Sequence, residues 1–210
     1  MRAAPFSKWR LLLAVFAIAL LADQATKLLA VDRLTYAFQR SGARTLEAKI
    51  AGLYRLKYLE PLAKEPHYVY RPLWRMNYVE NPGAAWGLFR DASDTFRNGF
   101  FTAISLLAVA FIVYYYRRLE VRQRFLQLAL SFVLAGAVGN FVDRLARRYV
   151  IDFVEWYWWN RPDVRWPTFN VADSLIVVGV AMLIVHPGPK RASAAGSGRD
   201  PGKKRALSGV

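Results

Sequence analysis

Four aspartates, Asp23, Asp143, Asp152 and Asp173, carry the chemistry that this chain can offer. Asp23 is followed four residues later by Lys27, a spacing that puts both on one face of a helix. Asn140 and Arg144 bracket Asp143, and Asn170 precedes Asp173 by three residues. Other nucleophiles are scarce. The chain has no cysteine and two histidines, His67 and His186, and no GxSxG. Thiol chemistry and Cys-ligated zinc or iron–sulfur sites are therefore excluded, and a His-rich metal site or a Ser-His-Asp triad is disfavoured. Ser174 stands beside Asp173 with no evident base, and a serine one turn into a helix commonly bonds its own backbone. Carboxylates remain. Two close carboxylates cannot easily both ionise, so they share a proton. One then activates water while the other protonates the departing group. That is aspartic peptidase chemistry. A second reading stays open at this point, in which Asp23–Lys27, Asp143–Arg144 and Asp152 are ion pairs that hold helices together.

Whatever its role, such a cluster needs elements to deliver it. The 210 residues suffice for one domain, or two very small ones. High charge (+15) and high hydrophobicity (55%) occur together, but in separate blocks, as in a membrane protein with basic flanks. Four apolar blocks predict spans at about 10–31, 98–116, 125–142 and 169–186. The first has an uninterrupted apolar core of only 12 residues after Arg2, Lys8 and Arg10, the pattern of a cleaved signal peptide. Its continuation as DQATKLLAV favours a span with one polar face instead. Tyr114, Tyr115 and Tyr116 end the second block, and Trp156, Trp158, Trp159 and Trp166 follow the third, as interfacial belts would.

Residues 1–10, 117–124 and 187–210 hold thirteen basic and two acidic residues, a net of +11. With four spans these segments share one side, which is then the cytoplasm, with both termini. This accounts for most of the charge without nucleic acid. The tail 187–210 reads as basic and disordered, touching anionic lipid. Within 32–97, Leu46, Ile50, Leu53 and Leu56 suggest a short interfacial helix, and Trp74, Met76 and Tyr78 alternate as on one face of a strand. A turn follows at Asn81-Pro82-Gly83. On this topology Asp23, Lys27, Asn140, Asp143, Arg144, Asn170 and Asp173 reach one depth near the outer surface. Asp152 lies in the loop beside them. Arg144, at the outer end of a span, is expected to hold Asp143 or a nearby carbonyl, since an unpaired charge there is costly.

At these residues the chain resembles the lipoprotein signal peptidases (signal peptidase II), aspartic peptidases of the bacterial inner membrane. The matching pieces are DQATK at 23–27, NPGAAWGLF at 81–89, GAVGNFVDR at 136–144, VIDF at 150–153 and FNVADS at 169–174. They touch the first, third and fourth predicted spans and come in the family's order. The resemblance implies a membrane all-α fold: four transmembrane helices with a small β-rich extracytoplasmic element between the first two. It also implies one peptidase domain over 1–186, an active site near the outer face, and no metal or cofactor. The catalytic pair would be Asp152 and Asp173. Supporting roles would fall to Asp23, Lys27, Asn81, Gly83, Ala85, Gly136, Asn140, Asp143, Arg144, Asn170 and Ala172. The implied substrate is a diacylglyceryl-modified prolipoprotein, cut just before the lipidated cysteine, and the expected state is a monomer among membrane lipids.

The chain departs from the family's pattern in a longer stretch at roughly 32–75, in Trp86 where Phe is common, and in its long tail. The insertion is expected to act as a cover over the site. Two other functions are weighed. A proton-coupled or ion transporter would spread ionisable groups through the membrane depth or show an inverted repeat, and neither is present. A non-catalytic relative that only binds lipopeptides is hard to reconcile with both Asp152 and Asp173.

Overall fold

The computed structural model describes residues 7–83 and 92–186, so Ala85, Trp86 and the tail from Pro187 lie outside the described residues. Apolar runs become long helices: α1 (Lys8–Leu34), α4 (Asp94–Arg118) and α5 (Arg124–Arg147). Each is long and apolar enough to cross a membrane. The fourth block forms α6 (Val171–Val185), an apolar helix of only 15 residues. Between α1 and α4 come α2 (Ala37–Ser41), α3 (Leu46–Arg55), a 3-10 turn (Glu60–Leu62), β1 (His67–Tyr70) and β2 (Trp74–Asn81). Between α5 and α6 lie β3 (Val150–Trp158) and β4 (Arg161–Arg165).

Local chemistry sets the boundaries. Ser93 and Thr45 cap α4 and α3 by accepting from the Phe96 and Ala48 amides. Asn170 opens α6 in a capping box with Asp173. Helix α5 is central: 61% of its apolar stretch is buried, against 22% for α1 and 11% for α4. It packs on α1, α4 and α6, while Ile18, Leu21, Leu107, Phe111 and Val177 stay exposed, as a lipid-facing surface requires. Tyr116 leaves the expected aromatic belt. It is buried, donating its hydroxyl to the Lys8 carbonyl at 2.6 Å, while Tyr114 and Tyr115 are exposed.

The sheet corrects one expectation. It is not confined between the first two long helices. Its order is β1-β2-β3-β4, all antiparallel, so half of it comes from the segment between α5 and α6. That hairpin turns at Trp159 and Asn160, both at positive φ (39° and 59°), as a tight strand-to-strand turn needs. A register shift between Met76 and Val79 breaks the simple alternation of β2. Tyr78 is buried, Trp74 is exposed, and Arg75 turns inward to Glu155 at 2.5 Å.

Two apolar cores result. One joins Val31, Leu34, Phe38, Leu53, Leu59, Tyr78, Ile151 and Phe153 at the sheet end of the bundle. The other joins Leu12, Ile112, Tyr116, Leu126 and Leu130 at the opposite end. A helix does form where one was expected, as α3, and the insertion is bound into the fold rather than merely laid over it. Phe38, Leu53 and Leu59 are core residues, and Thr35 bridges to Ala63.

Candidate active site

Strand β3 leaves α5 through Arg148, which adopts the left-handed conformation (φ 70°), and so turns the chain back across the helix ends. Val150, Ile151, Asp152 and Phe153 are all buried there. Opposite Asp152 in the ladder is Val79, two residues before Asn81. The Asn81 amide reaches across and donates to Asp152 Oδ2 at 2.9 Å. Its own oxygen accepts from the Gly83 amide at 2.8 Å, which fixes the turn. Gly83 has φ 101°, a conformation that favours glycine.

Asn170 joins the two aspartates predicted to react. Its side-chain nitrogen donates to Asp152 Oδ1 at 2.7 Å and its backbone nitrogen to Asp173 Oδ2 at 3.1 Å. Asn140 donates to Asp173 Oδ1 at 2.7 Å, and its oxygen accepts from Lys27 at 3.2 Å and from Asn170 at 3.1 Å. Ser174 bonds the Asn170 carbonyl, as a backbone-bound serine would. Burial raises the Asp152 carboxyl to about 8, helped by the charge of Asp173 and opposed by the bonds from Asn81 and Asn170.

Behind this pair lies a fully buried layer. Lys27 is 2.9 Å from both Asp23 and Asp143. Asp23 Oδ1 accepts from the Ala172 amide at 3.0 Å, so α1 helps cap the first turn of α6. Asp143 Oδ2 accepts from the Ile151 amide at 3.3 Å, next to Asp152 in the chain. Small residues permit this approach. A Cβ on Gly136 would strike the Ala172 carbonyl, and one on Gly139 would lie 2.5 Å from Asp23 Oδ2.

Thus the structure brings together Asp23, Lys27, Asn81, Gly83, Gly136, Asn140, Asp143, Asp152, Asn170, Ala172 and Asp173. Of the two partners expected for Arg144, it takes the nearby carbonyl, donating to that of Asn140 at 3.4 Å, and it stacks over Phe101. The partner of Asp143 on its own helix is Arg147, because residues four apart share a face and adjacent ones do not. Sequence reasoning missed Arg147, although that spacing was readable. It also passed over Gln24, which donates to Asp23 at 2.9 Å and accepts from the Tyr54 hydroxyl at 3.0 Å. Arg147 also donates to the Leu53 carbonyl at 2.5 Å, so α3 of the insertion touches this layer twice. No sequence spacing announces that contact.

Comparisons with known proteins identify the family. Residues 15–187 match the family described as signal peptidase (SPase) II. A lipoprotein signal peptidase of Anaeromyxobacter sp. (strain Fw109-5) is 62% identical over 205 residues, covering 98% of this chain and 97% of its own. Another from Geobacter metallireducens is 38% identical over 175 residues, covering 83% and 88%. Two bacterial membrane enzymes solved by the in meso method, at 2.3 and 1.9 Å, share the fold with TM-score 0.57. They are 24% and 23% identical and cover 83% of this chain, and 85% and 90% of theirs. A match across most of the chain, together with a relative that aligns nearly end to end, places this chain in the signal peptidase II family.

Proposed function

We propose that the protein is an aspartic endopeptidase of the bacterial inner membrane that removes signal peptides from diacylglyceryl-modified prolipoproteins, cutting before the lipidated cysteine. Asp152 and Asp173 are its catalytic pair. The observation that carries this reading is Asn170, whose side chain bonds one carboxyl while its backbone bonds the other.

In this reading the pair carries one proton. Asp173 sits in the first turn of α6 and accepts hydrogen bonds from the Asn140 side chain and the Asn170 backbone. Asp152 is the more buried partner and holds the proton. Charge balance agrees. Asp23, Asp143, Asp152 and Asp173 meet the cations Lys27, Arg144 and Arg147, and a buried cluster with one carboxyl in excess is stabilised by keeping one protonated. In the reaction Asp173 takes a proton from water as its oxygen attacks the scissile carbonyl carbon. Asp152 gives its proton to the carbonyl oxygen. On collapse Asp173 protonates the departing nitrogen and Asp152 recovers its proton. The products are a carboxylic acid at the end of the signal peptide, which then loses its proton to water, and a free amine on the lipidated cysteine.

Reading α6 as the fourth span puts the net +11 of residues 1–10, 117–124 and 187–210 on the cytoplasmic side and the aspartates near the outer face. A diacylglyceryl anchor holds the scissile bond at that depth. The gathering of charge at one end of the bundle fits a peptidase better than a transporter, whose relay runs through the membrane. The test is cleavage of a lipidated precursor by purified protein. Activity that survives in folded Asp152→Asn or Asp173→Asn protein overturns the reading.

A further inference from the structure

At the aspartate end of the bundle a polar cavity of about 270 Å³ lies between α4, the corner joining α5 to β3, and the insertion. Glu60, Glu80, Pro82, Arg148 and Tyr149 are among its walls. Pro82 follows Asn81, whose amide donates to Asp152, so the cavity begins about 4 Å along the chain from the residue that holds a reactive carboxyl. Glu80 is occupied by the fold, accepting from the Leu59 amide at 2.5 Å and the Tyr78 hydroxyl at 3.2 Å. The Arg148 and Glu60 side chains, in contrast, are exposed and pair with nothing among the described residues. The Tyr149 hydroxyl is buried beside Tyr78 and Glu80, yet makes no hydrogen bond of normal geometry. Tyr58 of the insertion tilts its ring against Tyr149, with centroids 6.2 Å apart.

Depth and polarity identify the occupant. The apolar run within α4 begins at Gly99, so Arg97 and Asn98, which also line the cavity, stand just outside the hydrocarbon. Arg148 likewise follows the last residue of α5. The cavity is thus on the water side of the aspartates. In a lipidated precursor the signal peptide lies in the membrane and the acyl chains lie in its outer leaflet. Only the chain beyond the cysteine runs on into water. An open cation, an open anion and a spare hydroxyl donor suit that hydrated peptide, whose carbonyls accept and whose side chains carry charge.

We propose that this cavity is the subsite for the first two residues after the lipidated cysteine. The Tyr149 hydroxyl donates to a peptide carbonyl there, and Arg148 and Glu60 read side-chain charge. At about 3.3 Å per extended residue, those are the positions that reach past Asn81 when the scissile bond lies at Asp152. Through Tyr58 and Glu60 the insertion takes part in substrate choice. The proposal rests on the peptidase reading above.

The test is competition between lipidated precursors that differ only in those two residues, Asp-Asp against Lys-Lys, with purified full-length protein. The readout is the ratio of their kcat/KM values. Arg148→Glu should lower the Asp-to-Lys ratio by about fivefold or more, and Glu60→Lys should raise it by a similar factor. Because position 148 has φ 70°, Arg148→Asn offers a variant that accepts this backbone, with a shift of about twofold in the direction of Arg148→Glu. Arg161→Glu makes the same charge change on the β3–β4 hairpin and should leave the ratio as it is. So should moving the charged pair about eight residues further from the cysteine. An unchanged ratio in active Arg148 variants overturns the proposal, as does an equal shift in Arg161→Glu or with the displaced pair. If the wild type cleaves none of the precursors, the peptidase reading itself falls, and this proposal with it.

Discussion

Lys8 and Lys27 stand on the same helix and serve opposite ends of it. Lys8 donates to the Arg117 and Leu119 carbonyls at 2.9 and 2.8 Å, closing the end of α4. Around it, Gln127 donates to the Glu120 and Val121 carbonyls, and Tyr116 to the Lys8 carbonyl. Each of these three side chains donates to backbone carbonyls, and those taken by Lys8 lie where the end of α4 leaves them open. Lys27, fully buried, bonds two carboxylates and an amide oxygen. Its neighbours bond one another, and the set links α1, α5, β3 and α6. The first end is a set of independent closures over an apolar core. The second is a coupled charge network, in which removing one member strands the rest.

The contrast is testable through the two lysines. Lys27→Met should cost on the order of 3–5 kcal/mol by stranding Asp23 and Asp143, and abolish folding or activity. Lys8→Met should cost about 1 kcal/mol. Thermal unfolding in detergent measures both, and similar losses would remove the distinction. Gly136→Ala should cost roughly 1–3 kcal/mol because its Cβ meets the Ala172 carbonyl, while Gly99→Ala, with open space around it, should not destabilise.

Arg147 sharpens the comparison from the insertion side. Arg147→Leu should lower stability by more than Arg144→Leu, since it releases both Asp143 and the Leu53 carbonyl. Equal effects would remove Arg147 from the network. The last contrast is in pH dependence. A carboxyl whose folded pKa is raised binds more protons folded than unfolded, so it lowers stability as pH rises from about 3.8 to about 8. Stability of the wild type relative to Asp152→Asn should therefore fall across that window and level off above it. A flat difference would mean that Asp152 is not held protonated.

Much of the reactive end was legible because it is local. Asp23–Lys27 is an i, i+4 pair and Asn170–Asp173 a capping box, and both patterns are written within one helix turn. Asp143–Arg147 follows the same rule, but the adjacent arginine drew attention away from it. The placement of β3 beside β2 was not legible, because pairing across more than seventy residues leaves no spacing in the chain. Nor was the bulge that turns Arg75 inward, since alternation assumes an unbroken ladder. The grip of α3 on Arg147 depends on a backbone carbonyl, which every residue possesses, so no residue type could have signalled it.

The most direct measurement is cleavage of a lipidated precursor by purified Asp152→Asn, Asp173→Asn, double and Asp143→Asn proteins, each checked for folding by its unfolding transition. Asp152→Asn and Asp173→Asn should each lose at least about a thousandfold in rate while staying folded, and the double variant should be no worse, because the pair acts as a unit. Asp143→Asn should act mainly on stability, since its carboxyl bonds Lys27, Arg147 and the Ile151 amide rather than Asp173. Folded Asp143→Asn protein without activity, beside active Asp152→Asn protein, would contradict the assignment.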